Sequence, residues 1–367
     1  MLSSRFYGDA TTDEYEFLVV EDRGFAWAKE AEGLAFASVC SPSEDNLVTL
    51  INLTIFYHAR GSWKSVLVCE CNSVCAAQIL RSTRAASGES RIAAEISRRR
   101  LWAAYLLHIF VSQPALSWVR APDENAVLVP CPEEHFTAMS ADGFASNFDL
   151  SGIEENLSYH AQLIRLTRLW SEVHGFLENM PASSEKKLST FAKLDAQLQN
   201  WRVALPNIFE VREDNVMVDK PLMERNQLAM LHTLYHSAVC CLHASVVPLF
   251  SFCSVDEDLA QLRMPSAATA FAHARSISSM LQKCKQARLS LSAGFFGFAC
   301  YCSLAVQIPF LWCKDVGTRD RTRTNMDVNF QLMEYIGSRW KIASCLTFAN
   351  VNAMACTVIE KLQLDAI

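Results

Sequence analysis

The chain has 367 residues, a formal net charge of −6, 51% hydrophobic residues and only 20% charged residues. This length and composition suffice to bury a large core, and the acidic balance disfavours binding to a phosphate backbone. With only 12 Gly and 11 Pro, long helices are favoured over strands and turns. We therefore expect an all-α fold, a large multi-helix bundle, without direct nucleic-acid binding.

Residues 1–22 are expected to be an acidic, flexible N-terminus without the apolar core of a signal peptide. The first predicted helices cover residues 23–39, 46–60, 63–81 and 91–112. Residues 120–150 contain three prolines and acidic residues, and we predict that they form a long connecting loop. Because an export signal is not recognised, the 14 cysteines are expected to be reduced thiols in a nuclear or cytoplasmic protein.

The second half begins with Ser151–Glu154, which has the form of a helix-capping box, followed by a helix with apolar residues at intervals of three and four. A polar loop is predicted at 178–187 and a charged loop at 314–327. Two of the remaining predicted helices carry the apolar stripes 191–201 and 267–284. The others extend from about 220 to 248 and cover 289–313 and 328–362. We predict a single helical domain over 23–367 with hinges near 120–150 and 178–187.

Residues 289–313 contain no charged side chain and are long enough to span a bilayer. Ser290, Gln307 and Pro309 within them, and the modest mean hydropathy of +0.10, favour a buried central helix of the bundle. We expect no membrane association. Glycine-rich phosphate loops are not found in the sequence, so we predict no cofactor.

Three blocks of sequence carry a resemblance. The first is Arg-Arg-Arg-Leu-Trp-Ala-Ala-Tyr-Leu-Leu at 98–107, the second lies within 169–206, and the third is Leu-His-Thr-Leu-Tyr-His-Ser-Ala at 231–238. In this order they resemble the regulatory, or middle homology, domain of fungal zinc-cluster transcription factors, and the resemblance covers about residues 40–350. It implies an all-helical domain that regulates activity, sometimes senses small molecules and often accompanies dimerisation.

The resemblance does not extend to DNA reading. The family binds DNA through six cysteines that hold two zinc ions, and this spacing does not occur here. We therefore expect a fungal regulatory domain without its own DNA reader, acting in secondary metabolism. Its expected partner is a small apolar metabolite or another protein, and a homodimer is compatible with the resemblance.

Two departures from the family pattern motivate an alternative. The second Trp of the signature helix is Ala103, which predicts a void that neighbouring side chains or a ligand fill. His108 and Ile109 replace an acidic residue and an Arg, and the imidazole titrates near neutrality when unperturbed. The alternative is a cofactor-independent cyclase or isomerase, pericyclic reactions included, of a polyketide or terpenoid, with His108 as the candidate catalytic group. The ligand-pocket candidates are Trp102, Ala103, Tyr105, His108, Gln113, His232 and His236.

Other polar groups have structural interpretations. His232, His236 and His243 share one helical face, but the metalloprotease pattern is missing, so we expect hydrogen-bonding core histidines and no metal. Cys69, Cys71 and Cys75 are expected to form a buried thiol cluster. The arginines at 98–100 are expected to pair with Glu95 or with acidic residues of 120–150.

Overall fold

The structure, a computed structural model, describes residues 23–84, 90–112, 128–141, 158–181, 183–211, 220–250, 257–289, 291 and 293–341. Within these ranges the backbone is helical and contains no β-strand, which confirms the all-α prediction. The described residues form eleven α-helices: α1 Arg23–Ala37, α2 Glu44–Arg60, α3 Trp63–Arg84, α4 Arg91–Ser112, α5 Glu133–Ala141, α6 Tyr159–Glu178, α7 Ser184–Val203, α8 Leu222–Ala244, α9 Arg263–Gln286, α10 Phe295–Gln307 and α11 Val316–Gly337.

The chain divides into two compact units, Met1–Ile164 and Arg165–Ile367. We call them the first and the second unit; the boundary between them falls inside α6. The predicted single domain over 23–367 and its hinges stay predictions. Residues 1–22 and most of 120–150 lie outside the described residues.

The first unit is organised around α2, which packs against α1, α3 and α4. Its start is fixed by Ser43, whose side chain accepts a hydrogen bond from the Asn46 backbone N–H. Gly61 ends it in the left-handed conformation, with φ of 70°. Between these ends, apolar residues spaced by three are fully buried, namely Leu47, Leu50, Leu53 and Phe56.

In the second unit, α8 packs against α7, α9 and α10, and α11 packs against α9 and α10. Ala270 and Ala274 of α9 are completely buried. Because alanine is small, neighbouring helices approach the α9 backbone closely: Cys240 of α8 donates to the Ala270 carbonyl at 3.7 Å, and Ser303 of α10 donates to the Ala274 carbonyl at 2.8 Å.

Several predicted boundaries were wrong. Helix α5 lies inside the predicted loop 120–150, and α11 begins at Val316 inside the predicted charged loop 314–327. The charged residues of α11 misled the prediction because they occupy its exposed face, while Thr322 and Asn329 face inward. Three short 3-10 segments, Asn207–Phe209, Glu257–Leu262 and Ile308–Trp312, also belong to the second unit. The capping box at 151–154 lies outside the described residues.

One segment of the described chain, Phe295–Trp312, is apolar and long enough to cross a membrane, and 61% of it is buried inside the protein. It comprises α10 and the 3-10 segment that follows. Ser303 and Gln307 on its buried face are completely inaccessible and bond to neighbouring helices. The segment is therefore a core helix of the second unit, as predicted, although α10 begins at Phe295 rather than at 289.

Candidate functional site

The arginine triplet of α4 surrounds a buried carboxylate. Glu95 is 2% exposed; it pairs with Arg98, accepts from Arg99 Nε at 3.0 Å and accepts from the Cys131 backbone N–H at 3.0 Å. Arg99 also pairs with Glu133 of α5 at 2.7 Å. The prediction that this triplet pairs with Glu95 and with acidic residues of 120–150 is confirmed.

The third arginine makes a contact that the sequence did not indicate. Arg100 pairs with Glu44 in the first turn of α2. Together the triplet therefore ties α4 to α2 and α5 inside the first unit. All three guanidinium groups are engaged by carboxylates, which leaves this short basic run poorly suited to bind phosphate.

The candidate pocket residues of α4 differ in their burial. Trp102 is 2% exposed and its indole N–H donates to the Leu128 carbonyl at 3.1 Å. Tyr105 is buried against Trp102 with ring centroids 5.7 Å apart. Ala103, however, is exposed. The predicted void assumed a buried position, whereas Ala103 faces away from the buried side of α4; the ligand pocket itself stays a prediction.

The candidate catalytic group, His108, is held by a partner that sequence reasoning missed. His108 is 2% exposed, and its Nδ1 lies 2.7 Å from Oε1 of Glu70, which is completely buried on α3. The sequence offered one indication of this partner. Glu70 lies between Cys69 and Cys71 in an otherwise weakly charged helix, and a carboxylate that faces inward requires a partner. Gln113 lies outside the described residues.

The histidines of α8 are hydrogen-bonded, as predicted. His232 Nε2 lies 2.8 Å from the Phe209 carbonyl, and His236 Nδ1 lies 2.9 Å from His273 Nδ1 of α9. His243 contacts the Ser266 hydroxyl at 3.1 Å and Asp195 Oδ1 at 3.3 Å. The three pocket candidates Trp102, Tyr105 and His108 belong to the first unit and His232 and His236 to the second.

Burial sets the charge of the His236–His273 pair. Burial lowers the pKa of His236 well below its usual value, and the neighbouring His273, His232 and Arg202 lower it further. Burial likewise lowers the pKa of His273 to about 4, with His243 adding to the effect and Asp195 opposing it. Both rings are therefore neutral at pH 7, one nitrogen donating and the other accepting.

The cysteines divide into isolated and paired thiols. Cys69 is buried but Cys75 is exposed, so the predicted buried cluster at 69–75 was wrong, since these positions turn around α3. In the second unit, Cys241 of α8 and Cys302 of α10 are in contact, with 3.5 Å between the two Sγ atoms. Within the described ranges there is no group of three or more His, Cys, Asp or Glu side chains that could hold a metal ion.

A buried neutral network joins α9, α10 and α11. The Ser303 hydroxyl accepts from the side-chain amides of Gln307 at 2.8 Å and Asn329 at 2.9 Å. Ser278 accepts from the same two amides, each at 2.9 Å. The four side chains are at most 1% exposed. Ser303 and Gln307 are one turn apart in the most apolar helix, which was the available signal for this network.

A groove of about 670 Å³ lies between α9 and α11. It is open to solvent, and its walls carry two arginines, Arg275 and Arg321, among hydroxyl and amide side chains. Its one acidic residue, Asp320, pairs with Arg323 at 3.3 Å. A smaller groove of about 260 Å³ lies between α1 and α2 of the first unit.

Comparison with curated proteins finds a partial similarity. Over 156 residues the chain is 24% identical to an uncharacterized transcriptional regulatory protein of Schizosaccharomyces pombe, which covers 40% of this chain and 19% of that protein. The chain thus spans about a fifth of the length of the curated relative that it matches. No protein-family model and no solved structure matches the chain. The described chain is thus all-helical, and part of it is similar to a transcriptional regulatory protein.

Proposed function

We propose that the chain is a regulatory protein of the transcription-regulator type, whose helices transmit the binding of a partner to gene expression. The observation that carries the proposal is the similarity to a transcriptional regulatory protein within an all-helical fold. A nuclear or cytoplasmic location follows from this role. The finer assignment, a fungal zinc-cluster regulatory domain active in secondary metabolism, rests on the ordered sequence blocks.

The regulator acts through a DNA-binding partner rather than by reading DNA itself. Its net charge of −6 opposes approach to a phosphate backbone. The densest basic run, at 98–100, is held by Glu95, Glu133 and Glu44. Partner binding is therefore the route by which this protein reaches a promoter.

The groove between α9 and α11 favours a protein partner over an apolar metabolite. A small molecule requires a site that buries most of its surface, and this groove is open and polar. Arg275 and Arg321 make no ion pair with a carboxylate of the described chain, so they are available to an acidic segment. Charges of opposite sign on the groove and on its partner speed the encounter of the two proteins and favour the correct partner.

The enzyme alternative has less support than the regulatory role. Ala103 is exposed, and His108 is 2% exposed and already bonded to Glu70. A cyclase or isomerase has to orient its substrate against a catalytic group, and a buried imidazole that already has a partner is a weak candidate for that group.

A tethered reporter assay tests the proposal. The chain is inserted between a heterologous DNA-binding module and a constitutive activation segment, and reporter output is compared with the fusion that lacks it. We expect a several-fold change, because the domain controls the activity of the attached segment. Leu231→Asp, which places a charge in the core of the second unit, serves as the unfolded control. An unchanged output from a folded, helical fusion contradicts the regulatory role.

Charge reversal tests the groove separately. The double variant Arg275→Glu and Arg321→Glu is expected to abolish the change in reporter output. The matched control is Lys193→Glu, which reverses an exposed charge on α7 outside the lining of the groove. Equal loss in the control variant, or none in the double variant, removes the groove as the partner site. A promoter fragment shifted by the purified chain alone at physiological salt contradicts indirect action.

A further inference from the structure

The contact between Cys241 and Cys302 joins two core helices of the second unit. The two Sγ atoms are 3.5 Å apart, whereas a disulfide requires about 2.05 Å. The sulfurs therefore need to approach by only about 1.5 Å, a displacement that small side-chain rotations on two packed helices supply. Both thiols are free in the structure.

The two thiols differ in accessibility. Cys241 is partly exposed, while Cys302 is 8% exposed and its neighbours Cys240 and Cys300 are almost completely buried. Burial raises the pKa of Cys302 well above its usual value, and Cys241, Cys240 and Cys300 raise it further. An oxidant from solvent therefore reaches Cys241 first, and Cys302 stands behind it as a protonated thiol.

We infer that Cys241 and Cys302 form an oxidation site that takes a hydroperoxide and closes a disulfide between α8 and α10. This assignment goes beyond the proposed regulatory function and does not depend on it. The pair has the arrangement of a redox sensor, with an accessible attacking thiol beside a resolving one.

The chemistry balances in two steps. The Cys241 thiolate attacks one oxygen of hydrogen peroxide, the O–O bond breaks, and the sulfur becomes a sulfenic acid while the departing hydroxide takes a proton to form water. Cys302 sulfur then attacks the Cys241 sulfur, the S–O bond breaks, and the leaving hydroxide takes the Cys302 proton as a second water. The two thiols lose two electrons, and the peroxide gains them.

The disulfide locks the helices that hold the buried network. Cys302 is adjacent to Ser303, whose hydroxyl bonds to α9 and α11, and the cross-link spans 61 positions of sequence. Closing a loop of this length restricts the unfolded chain. Oxidation therefore stiffens the second unit and raises its thermal midpoint, by roughly 5–10 °C.

Peptide mapping tests the site on the full chain. Purified reduced protein is treated with hydrogen peroxide, free thiols are blocked, and non-reduced digests are analysed by mass spectrometry. We expect a peptide pair linked through Cys241 and Cys302 that dithiothreitol separates. Cys241→Ser is expected to abolish this pair, whereas the matched control Cys75→Ser, which removes an exposed thiol of the first unit, retains it.

A second readout keeps the inference falsifiable if a buried variant folds poorly. Helical content by circular dichroism and the thermal midpoint are measured for wild type, Cys241→Ser and Cys302→Ala, each reduced and oxidised. Only wild type is expected to gain stability on oxidation. Overoxidation of Cys241 without a link to Cys302, or a dominant link between other cysteines, overturns the inference. An oxidised wild type with an unchanged midpoint overturns the stiffening.

Discussion

The two units handle buried polar groups in opposite ways. The first unit uses ionisable pairs: Glu70 with His108, and Glu95 with Arg98 and Arg99. The second unit relies mainly on neutral groups, namely the hydroxyls and amides joining α9 to α11 and the His236–His273 pair, beside the one contact of His243 with Asp195 among the described residues. The comparison teaches where each unit is vulnerable, because an orphaned buried charge costs more than an orphaned neutral group.

The contrast also separates their responses to conditions. In an ionic pair, mutation of one residue leaves the other charge buried without its partner. In a neutral histidine pair, protonation of either ring introduces a buried charge. Mutation of one partner is therefore expected to be most damaging at the ionic pairs of the first unit, and acid is expected to destabilise the second unit through the His236–His273 pair.

The largest effect is expected from His108→Ala. Glu70 is completely buried on α3, and among the described residues the variant leaves its carboxylate with only the Cys71 thiol at 3.7 Å. Removing one member of a buried pair costs about 3–5 kcal/mol. Hydrogen exchange of the α3 and α4 amides, followed by mass spectrometry, reports this loss in the first unit.

Glu70→Gln is the control for that variant, because the amide keeps a hydrogen bond to His108 without a charge and is expected to cost about 1 kcal/mol. Adding Glu70→Gln to His108→Ala is expected to restore part of the lost stability. If the double variant is no more stable than His108→Ala, an unpaired charge is not the cause of the loss.

Acidification is expected to have the next largest effect, in the second unit. The pKa of His273 is about 4 in the folded chain, against an ordinary value near 6.5. Stability is therefore complete above pH 6.5 and is lost as pH falls toward 4, since the unfolded chain binds the proton first. For His273 the loss between pH 7 and pH 5 is about 2 kcal/mol.

Thermal midpoints at pH 7 and pH 5, with exchange of the α8 and α9 amides, measure this loss. His273→Gln retains a hydrogen-bonding group but does not titrate, so the variant is expected to lose less stability between the two pH values than wild type. An equal acid response in variant and wild type shows that other groups dominate.

A smaller loss is expected from Ser303→Ala. The variant removes the acceptor of the Gln307 and Asn329 amides, but both retain Ser278 as a partner. The expected cost is about 1–2 kcal/mol, measured by urea denaturation. Ser276→Ala, which removes a hydroxyl outside the network on α9, is expected to change stability by less than about 0.5 kcal/mol. Equal costs for the two variants contradict a stabilising role for the network.

Sequence patterns sufficed for the helical class because apolar residues recur at helical spacing in both units. They also predicted the ion pairs of Arg98 and Arg99 and the hydrogen-bonding role of the α8 histidines. The arginine prediction rests mainly on neighbours within one helix. The histidine prediction rests on the rule that buried polar groups form hydrogen bonds.

The sequence did not predict contacts between residues that are distant from each other in the chain. Glu70 lies 38 positions from His108, and Cys302 lies 61 positions from Cys241. Helical spacing fixes which residues share a face but not which neighbouring helix that face meets. The start of α11 was missed for a related reason, since charged residues on an exposed helical face have the composition of a loop.

The smallest effect is expected from Ala103→Trp, which tests the predicted pocket. Ala103 is exposed, so a Trp there is expected to change stability by less than about 0.5 kcal/mol. The adjacent Ala104 is 1% exposed, and Ala104→Trp is expected to overpack the core and cost about 3 kcal/mol or more. Urea denaturation of both variants decides the point. A strong stabilisation by Ala103→Trp alone indicates a cavity that this residue fills, and revives the ligand pocket.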